Sequence, residues 1–271
     1  MLKGREFLAR HISWVFLLVV NIPLLIILFV QYRSLVELER TLPIANRTWM
    51  KKYLITVGAN VEEFYRTQAE RVLSIAPEAF IREHMYEHFA DIANHFECNP
   101  ATGVKRLFIA FTGEKEGQQF SIVLFYTPQL NRKFTREPGS QAWRAAHAAS
   151  GHWLYHSLFN STVSSASLLA DDYDLENRII TKPILNSENK VIAVAGLIID
   201  EKYFKEQVLP NAVQQSLKKF FPSDYKDVIV TLHDPKGNVV FATASAEQQS
   251  YEASEPLLFI FKDCRLKIMM R

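Results

Sequence analysis

Residues 12–32 carry no charge, and His11 and Arg33 bracket the run. As a helix, 21 residues span about 30 Å, the thickness of a bilayer core. Trp14 and Tyr32 lie near the two ends, where aromatic side chains sit at membrane–water interfaces. Asn21 and Pro23 interrupt the run, and spanning helices tolerate both. The run is longer than the apolar part of a cleaved signal. The segment at its end, Gln31-Tyr32-Arg33-Ser34-Leu35, offers no small-x-small cleavage site. A retained anchor over 12–32 is therefore expected. Lys3, Arg5 and Arg10 keep residues 1–11 on the cytoplasmic side, and the rest of the chain is expected outside.

The remainder must build its own core, and 48% hydrophobic residues suffice for one. Only 9 glycines are present and none falls in a Gly-rich phosphate loop of either usual spacing, so a nucleotide site of the P-loop or dinucleotide type is not expected. The net charge is +2 with no basic block, so no nucleic-acid surface is expected. Cys98 and Cys264 are too few for a zinc knuckle. Whether they pair or are small core residues stays open.

Residues 33–98 read as a helical stalk. Trp49, Tyr53, Val57, Val61 and Phe64 recur every three or four residues, one face of a helix. Pro43 is expected to kink or restart it, and Pro77 to begin a new segment. Strand patterns follow at 104–111 and 120–126 around a turn-rich link. Residues 127–177 are long, irregular and rich in Trp, His, Ser and Asp. A segment of that length is usually functional or holds small helices of its own. Strands are expected at 178–184 and 190–199, then a helix over 200–221 broken at Pro210. A hairpin at 228–232 and 238–243, with strands at 256–261 and 266–270, gives a second sheet. The expected fold is α+β: transmembrane helix, long stalk helix, antiparallel sheet with an elaborated loop, and a second smaller sheet.

Two segments carry a resemblance. Arg178-Ile179-Ile180-Thr181-Lys182-Pro183-Ile184 followed by Asn189-Lys190-Val191-Ile192-Ala193-Val194-Ala195-Gly196-Leu197-Ile198-Ile199-Asp200 resembles the paired strands of Cache sensor domains. His233-Asp234-Pro235-Lys236-Gly237-Asn238-Val239-Val240 is similar to a hairpin of that family's second module. The resemblance covers residues 40–271 at the level of architecture. It implies a PAS-like, ligand-sensing module at 99–202 and a smaller, membrane-proximal PAS-like module at 203–271. It also implies a bacterial inner-membrane receptor that senses a small molecule outside the cell membrane. Such a receptor belongs to a sensor histidine kinase or related transducer. A parallel homodimer is expected from the stalk, where Leu35, Leu38, Leu42, Trp49, Tyr53 and Val57 lie near the membrane with few other elements to cover them. No catalytic domain is seen in the chain, so any kinase output is expected beyond Arg271. No cofactor is expected.

The ligand is expected against the 127–177 loop, with Tyr126, Trp143, Trp153 and Tyr155 as walls and Arg144 and Asp172 as polar contacts. A guanidinium holds both oxygens of a carboxylate, which makes a carboxylate-bearing metabolite the expected class. Two alternatives stand beside the sensor. His84-Met85-Tyr86-Glu87-His88 fits H-x-x-E-H, a zinc-hydrolase pattern in which His84 and His88 hold the metal and Glu87 is the base. The structural reading of the same residues is a half-solvated helix edge. The other alternative is a periplasmic module that docks a protein partner.

Overall fold

The computed structural model describes the backbone of residues 3–81, 85–115, 118–126, 134–158, 167–171, 173–221, 228–244 and 251–270. Side chains at 3–20, 40, 43, 79, 81, 85–88, 113–115, 118–120, 156–158 and 251 are not described. The fold is α+β, with a long apolar N-terminal helix and two antiparallel sheets, as the sequence leads one to expect. The chain forms two compact units, Met1–Met50 and Lys51–Arg271.

Helix α1 is Lys3–Leu73. It contains a stretch long and apolar enough to cross a membrane. Residues 21–32 are exposed throughout, as a lipid-facing segment would be. Helix α1 runs on through Pro43 without the expected restart. A proline inside a helix removes one backbone bond and crowds the carbonyl four residues back. Here that residue, Glu39, is exposed, so its carbonyl can turn to solvent. The Thr41 hydroxyl donates to the carbonyls of Glu37 and Leu38 in the same turn.

In the second unit, α1 buries Tyr53, Leu54, Val57, Val61, Tyr65, Ala69 and Val72, a stripe at helical spacing. After Pro77 come α2 (Glu78–Ile81) and α3 (Met85–Cys98). The six-stranded sheet runs β3-β2-β1-β6-β5-β4, every pair antiparallel. Its strands are β1 (Val104–Lys115), β2 (Gln118–Tyr126), β3 (Phe134–Thr135), β4 (Leu169–Asp171), β5 (Ile179–Leu185) and β6 (Val191–Ile199). The β5–β6 pair sits where its motif predicts. Asn186 closes the turn by accepting from the backbone of Glu188 and Lys190. Phe108 on β1 faces Gly196 on β6, and its ring fills the space where a Cβ at Gly196 would fall.

Residues 127–177 are not a loop alone. They contain α4 (Gln141–Leu158), which covers one face of the sheet. Ala146, Ala149 and Trp153 form its buried stripe.

Asp200 caps α5 (Glu201–Tyr203) by accepting from the Tyr203 amide. A π-helical turn, Phe204–Val208, leads into α6 (Leu209–Phe220). Pro210 was expected to break this helix. Instead it occupies the first turn of α6, where a missing N–H costs little. The π-turn just before it absorbs the change of register. The four-stranded sheet runs β8-β7-β10-β9. Its strands are β7 (Val228–His233), β8 (Val239–Ala242), β9 (Tyr251–Pro256) and β10 (Arg265–Met270). Residues 257–261, expected as a strand, form a turn instead, which buries Leu257, Phe259, Ile260 and Phe261.

Both sheets rest on α1. The four-stranded module meets it first along the chain: Lys51 pairs with Glu255, the Tyr53 hydroxyl donates to the Val213 carbonyl, and Asn60 donates to Ser216. The six-stranded module meets it further on. Arg71 donates to the Pro100 carbonyl, Gln68 accepts from the Thr102 amide, and Lys182 donates to Ser74. We call these the near and far modules.

Candidate functional site

The far module has two differently built faces. On β2, Val123 and Phe125 point toward α4, and the alternation of a strand sends Leu124 and Tyr126 the other way. Tyr126 is buried against Phe96 of α3 and Phe134 of β3, and its hydroxyl donates to Glu97. Trp153 lies on the α4 face, where its indole N–H donates to Thr181 at 2.8 Å. The two aromatic residues expected to wall one pocket are thus on opposite sides of the sheet.

Helical periodicity divides the others. Ala142, Ala145, Ala146, Ala149 and Trp153 face the sheet. Arg144 and Tyr155, eleven residues apart and so three turns along, share the solvent face, with Tyr155 62% exposed. Arg144 therefore does not point inward as expected. Trp143 is half-buried at the edge of the core and stacks on His147 with ring centres 4.9 Å apart. Asp172 lies outside the described residues. So does His84; the backbone of Glu87 and His88 is in α3. Among the described residues, no three His, Cys, Asp or Glu side chains are placed to hold a metal ion.

The first turn of α4 gathers polar groups that sequence reasoning missed. Ser140 caps the helix by accepting from the Trp143 amide. Arg106, half-buried on β1, donates to Glu137 at 2.7 Å and lies 5.8 Å from the Phe125 ring. Gln141 donates to Asp174, which also accepts from the Glu176 and Asn177 amides and from the Asn177 side chain. Its slight burial alone would raise the Asp174 carboxyl. The hydrogen bonds from Asn177, Glu176 and Gln141 win and hold it below the ordinary aspartate value. Aromatic, cationic and amide groups thus meet at one corner of the far module.

Arg178 begins just past that corner, and its side chain crosses to the near module. Its two terminal nitrogens donate to the two oxygens of Asp263, each at 2.7 Å, and one of them also to the Ile260 carbonyl. The Arg178 side chain is 5% exposed. Its guanidinium lies 4.9 Å from the Phe261 ring, which stacks on Phe204 of the π-turn at 3.8 Å. Tyr65 of α1 packs against both rings. Burial alone would lower the Arg178 pKa; the Asp263 bond and charge overcome it and raise it. Burial, with Asp263 adjacent, pushes the Cys264 thiol up to about 12. Phe259, in the same turn, is held at φ 63°, a strained position for a side chain of that size. Arg178 and Asp263 are 85 positions apart, and no local pattern announces their meeting.

Cavities among the described residues lie elsewhere. One of about 490 Å³ is beside the end of α1, lined by Leu73, Pro77, Lys182 and Asn186 among others. One of about 190 Å³ lies between α1 and the π-turn, and one of about 620 Å³ between α6 and β8.

No protein-family model matches the chain, and no curated protein matches it. Similar solved structures include domains of chemoreceptors and of candidate histidine kinases. The sensory domain of the Campylobacter jejuni chemoreceptor Tlp3, with isoleucine bound, shares 13% identity at a TM-score of 0.44, over 86% of this chain and 94% of that one. The ligand-binding domain of the Pseudomonas aeruginosa amino-acid chemoreceptor PctC, in complex with GABA, shares 9% at 0.46, over 83% and 100%. The extracellular domain of the candidate histidine kinase vpHK1S-Z8 shares 12% at 0.43, over 81% and 91%.

Proposed function

We propose that this chain is the extracytoplasmic sensory part of a bacterial inner-membrane receptor. The observation that carries this reading is α1. Its first part holds a charge-free span whose described residues, 21–32, are exposed, and from Lys51 on it is a core element of a folded body with two antiparallel sheets. The motifs at 178–200 and 233–240 support the same class. The far module, 99–202, is the ligand-sensing module, and 203–271 is the membrane-proximal one.

The ligand engages the corner at the start of α4. Trp143 supplies an aromatic surface, and Arg106 a cation that a carboxylate would share with or take from Glu137. The test is a thermal-shift panel of amino acids and small carboxylic acids on the full chain. At least one is expected to raise Tm in a saturable way. Trp143→Ala and Arg106→Met should each abolish that shift without lowering the unliganded Tm by more than a few degrees. A shift that survives both substitutions would move the site away from this corner.

The output belongs to a two-component histidine kinase or a related transducer, and the working form is a parallel homodimer. Leu35, Leu38, Leu42 and Trp49 are exposed on α1 and are the surface that a second copy would cover. Single cysteines across 34–49 should crosslink with a period of three to four residues. A flat profile would argue against the dimer.

A further inference from the structure

We propose that Arg178 is a two-position tie that carries the state of the far module to the near one, docked on Asp263 in one state and released in the other. The proposal rests on the sensor reading for its purpose and adds the element that transmits.

A continuous set of bonded groups leads to it. Gln141, the first residue of α4, holds Asp174. Asp174 holds Asn177 through both its backbone and its side chain. Asn177 is buried and immediately precedes Arg178. The Arg178 carbonyl accepts from Ile199, which fixes the start of β5 on the end of β6. Its side chain then grips Asp263 and the Ile260 carbonyl in the near module. Any change that reshapes the Asp174 turn moves the backbone from which the guanidinium reaches across.

The chemistry of the pair makes the response discrete. A buried bidentate ion pair cannot be stretched by degrees, because a half-separated charge in a low-dielectric site is costly. It is either docked or returned to water. The surroundings are not tuned for docking alone. Arg178 Nε and the Tyr65 hydroxyl are buried without a hydrogen-bond partner among the described residues. Each such group raises the free energy of the docked state and brings the released state closer. Behind the pair, Phe261 rests on Phe204 in the π-turn, a single-turn distortion often found at functional sites. Release of Arg178 would free the 257–264 turn, and with it the contact of Phe261 with Tyr65 on α1.

Coupling of this kind needs a direct measurement, since adjacency alone does not establish it. Cys264 supplies the probe. It is buried beside Asp263, and a Cys98→Ser background leaves it as the sole thiol. Its reaction with a small thiol reagent then reports opening of the junction. In the full chain with Arg178 intact, Asp174→Ala should speed Cys264 labelling about tenfold. In a chain where Arg178→Met and Asp263→Leu replace the ion pair by an apolar one, Asp174→Ala should change the rate by less than about twofold. An equal acceleration in both backgrounds, or none with Arg178 in place, would overturn the proposal. Arg178→Lys keeps the charge but not the two-point grip, and should give an intermediate response. The assay needs no ligand and does not probe membrane orientation. Its failure is therefore distinct from failure of the sensor reading.

Discussion

Two of the places where the protein buries aromatic side chains are built on different terms. Beneath α4 the interior is largely apolar: Phe108, Phe125, Val194 and Ile198 pack against Ala146, Ala149 and Trp153, with the Trp153–Thr181 bond among its polar contacts. At the junction of the modules, Phe204 and Phe261 pack around an ion pair. An apolar core loses stability in proportion to what is removed. A buried ion pair loses most when only one partner goes, and its replacement by an apolar pair is often neutral. The first arrangement holds one module together. The second adds dependence on both partners being in register.

The sharpest way to break this contrast is at Asp263. Asp263→Ala leaves Arg178 as an uncompensated buried charge and should cost about 3–5 kcal/mol in urea unfolding. Arg178→Met with Asp263→Leu should recover most of that loss. If the double variant is no better than the single one, the junction is not an ion-pair site in the sense argued. Under α4 the corresponding change is steric. Gly196→Ala drives a methyl into the Phe108 ring and should cost about 1–3 kcal/mol, with Phe108→Leu restoring part of it.

A smaller effect is expected at the Asp174 turn. Asp174→Ala removes several hydrogen bonds of a half-exposed group and should cost about 1 kcal/mol at neutral pH. Because the folded-state pKa is lowered, this contribution is complete above the unfolded aspartate value of about 3.9. It is lost as pH falls through the lower folded value. The stability gap between wild type and variant should therefore be constant from pH 8 to 5 and shrink below pH 4. The smallest effect is chemical. Cys98 is exposed and should react quickly with a thiol reagent at pH 8, while Cys264, buried and raised to about 12, should react far more slowly, at the rate at which the junction opens.

Much of the fold was legible because its signals are local. The charge-free run defines part of α1 by composition, and the β5–β6 pair is fixed by alternation and by Asn186 in its turn. Helix α4 was hidden because its inward stripe leans on Ala146 and Ala149, which hydrophobic patterning weighs lightly. Residues 257–261 misled in the opposite sense: four large apolar side chains suggested a strand, yet they are buried by a turn. The site was less legible still. Trp143 and Trp153 were singled out as walls of a ligand pocket; the structure places Trp153 in the core beneath α4 and Trp143 at the edge of that core. That Tyr126 faces away from them depends on the register of one strand, and that Arg144 faces solvent depends on where α4 begins. The Arg178–Asp263 meeting is set by the packing of two modules, which no window of sequence contains.

The central claim, an input domain held outside the cell membrane by α1, is tested most directly by paired fusions after Arg271. A reporter that works only outside the cytoplasm should be active, and one that works only inside should be silent. The reverse pattern, with the cytoplasmic reporter active, would put both modules on the wrong side for an extracytoplasmic sensor and contradict the account.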